Sequence, residues 1–119
     1  RHASLLITIA LDEGDVARAV EIVSRLRVYC DPGTLVRVAQ AAEVEHPRAA
    51  LKIYYDHAER AIAGRSRSAY AMAAERLARV RELHRRLDEE SLWQEYIARL
   101  RTEHRRLRAL KEELDRAGL

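Results

Sequence analysis

Phenylalanine is absent from these 119 residues, and tryptophan, methionine and cysteine occur once each. Two prolines and four glycines are all that interrupt the backbone. So few breakers, with Ala, Leu, Arg and Glu dominating and β-branched residues in the minority beyond the first quarter, predict an all-α fold. The lone thiol of Cys30 excludes an internal disulfide and a multi-thiolate metal site, and it suits a reducing cytoplasm. No stretch approaches the roughly 18 consecutive apolar residues of a membrane span, and no signal peptide is read in the chain. Because the chain opens on Arg1, it is expected to be the C-terminal fragment of a longer protein.

Charge is plentiful but nearly balanced. Lys and Arg number 22 and Asp and Glu 19, a net charge of +3, and only Lys52 and Lys111 are lysines. Residues 1–63 hold 8 basic and 9 acidic side chains and residues 64–119 hold 14 and 10, so the excess lies in the second half. Many of these arginines have an acid one helical turn away, as in Glu75 with Arg79 and Glu95 with Arg99, a pattern that supports exposed helices.

Helix boundaries are marked by local chemistry. Leu5, Leu6, Ile9 and Ala10 begin a first helix that ends near Gly14, and Asp15 caps a second that buries Val16, Ala19, Val20, Val23 and Leu26. Asp31 before Pro32 repeats that start signal for a third helix running to about Val44. His46 and Pro47 open a fourth, which Gly64 stops, and Ser66 or Ser68 caps the fifth. From Ser68 to Ala117 the spacing describes two long helices turning at Asp88, Glu89 and Glu90. Tyr70, Ala73, Leu77, Val80, His84 and Leu87 mark the seam of one, and Trp93, Tyr96, Leu100, Leu107, Leu110 and Leu114 that of the other.

Sliding the chain by 31 residues lays Leu5 on Val36, Ile7 on Val38, Ala10 on Ala41, Leu11 on Ala42, Ala19 on Ala50, Val20 on Leu51 and Ile22 on Ile53. Such a helix-turn-helix period is that of tetratricopeptide-like solenoids. The expected architecture is a single repeat domain over residues 1–119, about six helices as three stacked antiparallel hairpins in a right-handed superhelix. The hairpins are residues 1–30, 31–64 and an elongated 65–119.

Within the last hairpin, Trp93-Gln-Glu-Tyr96-Ile97 and His104-Arg105-Arg106-Leu107-Arg108-Ala109-Leu110 carry a resemblance. With Glu45–Tyr54 and Tyr70–Leu87, the region from about residue 35 to the end resembles the C-terminal part of bacterial SWIM zinc-finger proteins. The resemblance implies a helical module attached to a zinc finger, in a parent suspected of binding DNA or protein. That family's zinc motif needs a Cys-x-Cys and a Cys-x-His pair, whereas this chain has only Cys30. Zinc is therefore expected only in the missing part of the parent, no cofactor is expected here, and no ligand is carried over.

A residue-by-residue search finds no catalytic set, and the chain is expected not to be an enzyme. No two of His2, His46, His57, His84 and His104 share the four-residue spacing of a helical metal pair. His84 and His104 take seam positions in opposing helices, which reads as hydrogen-bonded core histidines. Cys30 stands at a helix end, where a thiolate is disfavoured. Acid pairs such as Glu112 and Glu113 lack the apolar surroundings that tune a general acid. Tyr54 and Tyr55 point about 100° apart on one helix, so both cannot be fully inside.

Two binding hypotheses follow. In the first, a protein-interaction scaffold presents a groove edged by Arg48, Tyr55 and His57 to a protein or peptide. In the second, Arg85, Arg86, Arg101, Arg105 and Arg108 form an accessory nucleic-acid patch along the last hairpin, weakening with salt. The first helix, with Leu5, Leu6, Ile7, Ile9 and Leu11, is more apolar than one buried face requires, so a homodimer through it is also expected.

Overall fold

Three side-chain caps begin helices where the sequence places them. In a computed structural model describing residues 2–119, the side chain of Val28 excepted, Asp15 Oδ1 accepts from the Arg18 N–H at 3.1 Å. Asp31 Oδ1 accepts from Thr34 at 2.8 Å and Ser66 Oγ from Ala69 at 3.2 Å. Each satisfies one of the N–H groups a helix start leaves without an intrahelical partner. The helices are α1 (His2–Asp12), α2 (Val16–Leu26), α3 (Pro32–Ala42), α4 (Pro47–Ala63), α5 (Arg67–Arg86), α6 (Glu90–Glu103) and α7 (Arg108–Arg116), with a 3₁₀ turn at Arg27–Tyr29. Among the described residues there is no strand, and the fold is all-α.

The ends are equally local. After α1, Gly14 takes φ 75°, its N–H reaches Leu11 O, and the Asp15 N–H reaches Ala10 O at 2.8 Å. Asp88, at φ 59°, closes α5 in the same way, with its N–H on Arg85 O and the Glu89 N–H on His84 O at 2.8 Å. This pair of bonds satisfies carbonyls that the last turn would otherwise leave open. At the end of α4 the left-handed residue is not Gly64 but Arg65, at φ 54°.

The expected last helix is two helices, which raises the count among the described residues from about six to seven. Arg101 in α6 and Asp115 in α7 stand 14 residues apart, about 21 Å along a continuous helix, yet their side chains meet at 2.9 Å. The chain therefore turns between Glu103 and Arg108, with the Leu107 N–H on His104 O. A leucine period running through both segments masks this break, because Leu100, Leu110 and Leu114 are all buried on either side of it.

The chain divides into two compact units, residues 1–53 and 54–119, at a point inside α4. In the first, α1 packs on α2 and α3, and α2 on α3. Its core is built mostly of small and β-branched side chains, Ala3, Ile7, Ala10, Ala19, Ile22, Val23, Val38, Ala39, Ala42 and Ala50, together with Leu35 and Leu51. Cys30 is buried there, with its Sγ 3.3 Å from Leu26 O, and burial raises its pKa above the ordinary thiol value. Leu5 and Ile9 of α1 remain 56% and 46% exposed.

In the second unit, α5 packs against both α6 and α7. Tyr54, Leu77, Val80, Leu83, Trp93, Leu110 and Leu114 are buried in it. Glu113, only 5% exposed, accepts from Arg67 Nη1 and Arg116 Nη1, each at 2.9 Å, while Arg67 Nη2 reaches Glu112 at 2.6 Å. A carboxylate this far inside requires such partners. Among the described residues no helix is long and apolar enough to cross a membrane.

Candidate functional site

Residues 20, 23, 24 and 27 share one face of α2 and its 3₁₀ extension by helical spacing, and residues 48, 49, 52 and 53 share one face of α4. Within the first unit these faces enclose a cleft of about 300 Å³. Val20, Val23, Ala49 and Ile53 give it an apolar floor, Ser24 lines it, and Arg27, Arg48 and Lys52 bring three cations to it. No Asp or Glu is among the lining residues, and Arg27, Arg48 and Lys52 each make interactions of their own within the fold.

Arg48 is thus placed on a cleft, but Tyr55 and His57 belong to the second unit and are engaged there. Tyr54 is fully buried and Tyr55 half-buried, as the 100° offset requires. The Tyr55 hydroxyl lies 2.8 Å from His84 Nε2, and His84 Nδ1 lies 3.0 Å from Glu89 Oε1. In the neutral tautomer with its proton on Nδ1, the ring donates to Glu89 and accepts from Tyr55 through Nε2. The closing turn of α5 positions this chain of bonds, since the Glu89 N–H already bonds the His84 carbonyl. Burial pushes the Tyr55 hydroxyl up to about 12, so it stays a donor at neutral pH.

Tyr96 meets Tyr55 edge to face, with ring centroids 4.6 Å apart, and donates to Glu59 Oε2 at 2.9 Å. Burial, and then the hydrogen bond to Glu59, raise its pKa. Trp93 flanks it at 6.1 Å, and the Arg99 guanidinium lies 5.6 Å from its ring centre. His57 Nδ1 accepts from Arg76 Nε at 3.1 Å; burial first, and then the charges of Arg76 and Arg60, lower its pKa and keep it neutral. His84 is buried in this aromatic cluster, whereas His104 caps the C-terminus of α6 with its Nε2 3.6 Å from Glu103.

The break between α6 and α7 disperses the expected arginine stripe. Arg101 is held by Asp115 at 2.9 Å, and Arg85 lies 3.5 Å from Glu82 and 4.0 Å from Glu90. Arg105 lies in the turn and donates to Thr102 O at 3.2 Å, Arg108 begins α7, and Arg86 ends α5, the last three exposed. Arg101, Arg105 and Arg108 therefore do not share one helix face.

Val20 and Val23 were read from sequence as core residues of the second helix, and Arg27 and Lys52 were given no site role. The i, i+3, i+4, i+7 spacing of Val20, Val23, Ser24 and Arg27 was available, but it also describes an ordinary core stripe. Among the described residues no three His, Cys, Asp or Glu side chains gather as a metal set.

No protein-family model matches the chain, and no solved structure matches it. It is 34% identical over 73 residues to the uncharacterized protein YwqB of Bacillus subtilis (strain 168). That similarity covers 61% of this chain and 14% of YwqB, so the chain spans a small part of its relative's length.

Proposed function

We propose that this chain is a non-catalytic protein-interaction module whose first unit binds an acidic, apolar peptide segment of a partner. The observation that carries the reading is the cleft between α2 and α4, which has a floor of Val20, Val23, Ala49 and Ile53 and is also lined by Arg27, Arg48 and Lys52. Apolar contacts supply most of the affinity in such a site, and the charges set orientation and exclude basic competitors. The alternative, accessory nucleic-acid binding by the last helices, is weakened by the acids that occupy Arg85 and Arg101.

Several finer points belong to the same proposal. The tetratricopeptide-like superhelical stacking is supported by positions 31 residues apart that are buried alike: Ile7 and Val38, Ala19 and Ala50, Ile22 and Ile53. Membership in a SWIM zinc-finger parent rests on the sequence resemblance alone, on the Trp93 to Leu110 motifs with Glu45–Tyr54 and Tyr70–Leu87. Cytoplasmic residence rests on the lone thiol, and pairing of two copies through α1 rests on the exposed Leu5 and Ile9.

Selection of random peptides on the full chain tests the central reading. Recovered peptides should combine Asp or Glu with Leu, Ile or Phe, and the double variant Arg48→Glu/Lys52→Glu should weaken them at least about tenfold. Peptides without an acidic bias, or indifferent to the charge reversal, would sink it.

A further inference from the structure

We propose that the second unit holds a binding site for a single phosphomonoester carried on an apolar body, at the turn between α6 and α7. Two adjoining clefts of about 430 and 440 Å³ meet there, sharing Arg65, Glu103, His104 and Leu107. The first adds Arg105 and Arg106, so three arginines line it with one carboxylate, Glu103, which lies 3.6 Å from His104 Nε2, and Arg105 also donates to Thr102 O through Nη1. The second adds Ile62, Ala63 and Leu100 to Leu107, an apolar wall, together with Glu59, whose carboxylate is occupied by Tyr96.

Guanidinium groups match the tetrahedral oxygens of phosphate through paired N–H donors, and a dianion rewards several of them at one point. The arrangement selects a terminal phosphate over a nucleic-acid backbone because the cations gather at one turn. A backbone requires cations spaced along a track, and Arg101 and Arg85, which would extend one, are held by Asp115, Glu82 and Glu90.

The backbone of Arg65 points the same way. It occupies the left-handed region at φ 54°, where a Cβ is disfavoured and glycine is not, although Gly64 is its immediate neighbour. A glycine one position later would close α4 without that cost, but would place no guanidinium in the cleft. Strain of this kind, held where a side chain is needed, is characteristic of ligand sites.

Arg65→Gly is therefore an informative variant, removing the cation while relaxing the backbone. Backbone amide NMR of the full chain at low ionic strength is followed on adding inorganic phosphate, phenyl phosphate, a phosphotyrosyl tetrapeptide or an oligothymidylate. Saturable shifts are expected at Arg65 and His104–Leu107, with phenyl phosphate binding several-fold tighter than inorganic phosphate because it also covers Ala63 and Leu107. Arg65→Gly and Arg106→Ala should each weaken it about tenfold, and Arg65→Gly should leave Tm unchanged or higher. A tetrapeptide tighter than phenyl phosphate assigns the phosphate to a protein, and equal affinities assign it to a small molecule. No saturable shift with either phosphate, shifts unaffected by both variants, or oligothymidylate binding that phenyl phosphate does not displace overturns the proposal.

Discussion

The two units are held together by different chemistry. Residues 1–53 rely mostly on close packing of Ala, Val, Ile and Leu side chains, with the Asp15 and Asp31 carboxylates at helix starts and one long-range side-chain bond, from Ser4 to Asp31. Residues 54–119 tie helix to helix through side-chain bonds: Tyr96 to Glu59, Tyr55 to His84 to Glu89, Arg67 to Glu112 and Glu113, and Arg101 to Asp115. A core of small residues leaves little room for a change of volume. A core of polar bonds is instead sensitive to the loss of a partner, because the group left behind is buried without compensation.

The largest effect expected from this contrast is in the first unit. Ile7 is completely buried on α1, and Ile7→Ala should cost roughly 2–5 kcal/mol in urea unfolding, by about the same amount in low and high salt. A salt-dependent loss would contradict the assignment of that unit to packing. In the second unit, Glu113→Gln keeps the volume but removes the charge that faces Arg67 and Arg116. It should cost roughly 1–3 kcal/mol, measured the same way. A neutral result would mean that the buried carboxylate adds specificity without stability.

The smallest effect sharpens the comparison through pH. The backbone N–H of Thr34, followed by its hydroxyl and that of Ser4, holds the Asp31 carboxyl below its ordinary value of 3.8. A group depressed in the folded state contributes stability that is fully present above its unfolded pKa and disappears as pH falls through the folded one. Thermal melts of the native chain should therefore lose stability below pH 4, and Asp31→Asn should flatten that loss while lowering Tm slightly at pH 7. Parallel melts of the two proteins would show no such divergence if the cap contributes nothing.

Helix starts were legible because their signals are local: Asp15, Asp31 and Ser66 each cap a backbone N–H three residues away. The reversal at Asp88 was legible as a turn for the same reason. The break after Glu103 was not, since His104, Arg105 and Arg106 carry no breaker and the leucines keep their rhythm across it. That break is maintained by long-range pairs, Arg67 with Glu112 and Glu113 and Arg101 with Asp115, which no window of sequence contains. The repeat was legible where both members are buried, at Ile7 and Val38, but Leu5 lies open while its counterpart Val36 is buried. Of the proposed groove, Arg48 fell on a cleft, whereas Tyr55 was claimed by His84, a pairing 29 residues apart.

Cys30 gives this contrast a kinetic dimension. It is the single thiol of the chain, it is buried in the first unit, and its proton is held tightly by that burial. A thiol reagent reaches it only when the surroundings open, so the labelling rate reports the opening frequency of residues 1–53 without any engineered probe. Opening events confined to residues 54–119 stay silent to the same reagent, so the first half can be timed by itself in the intact molecule.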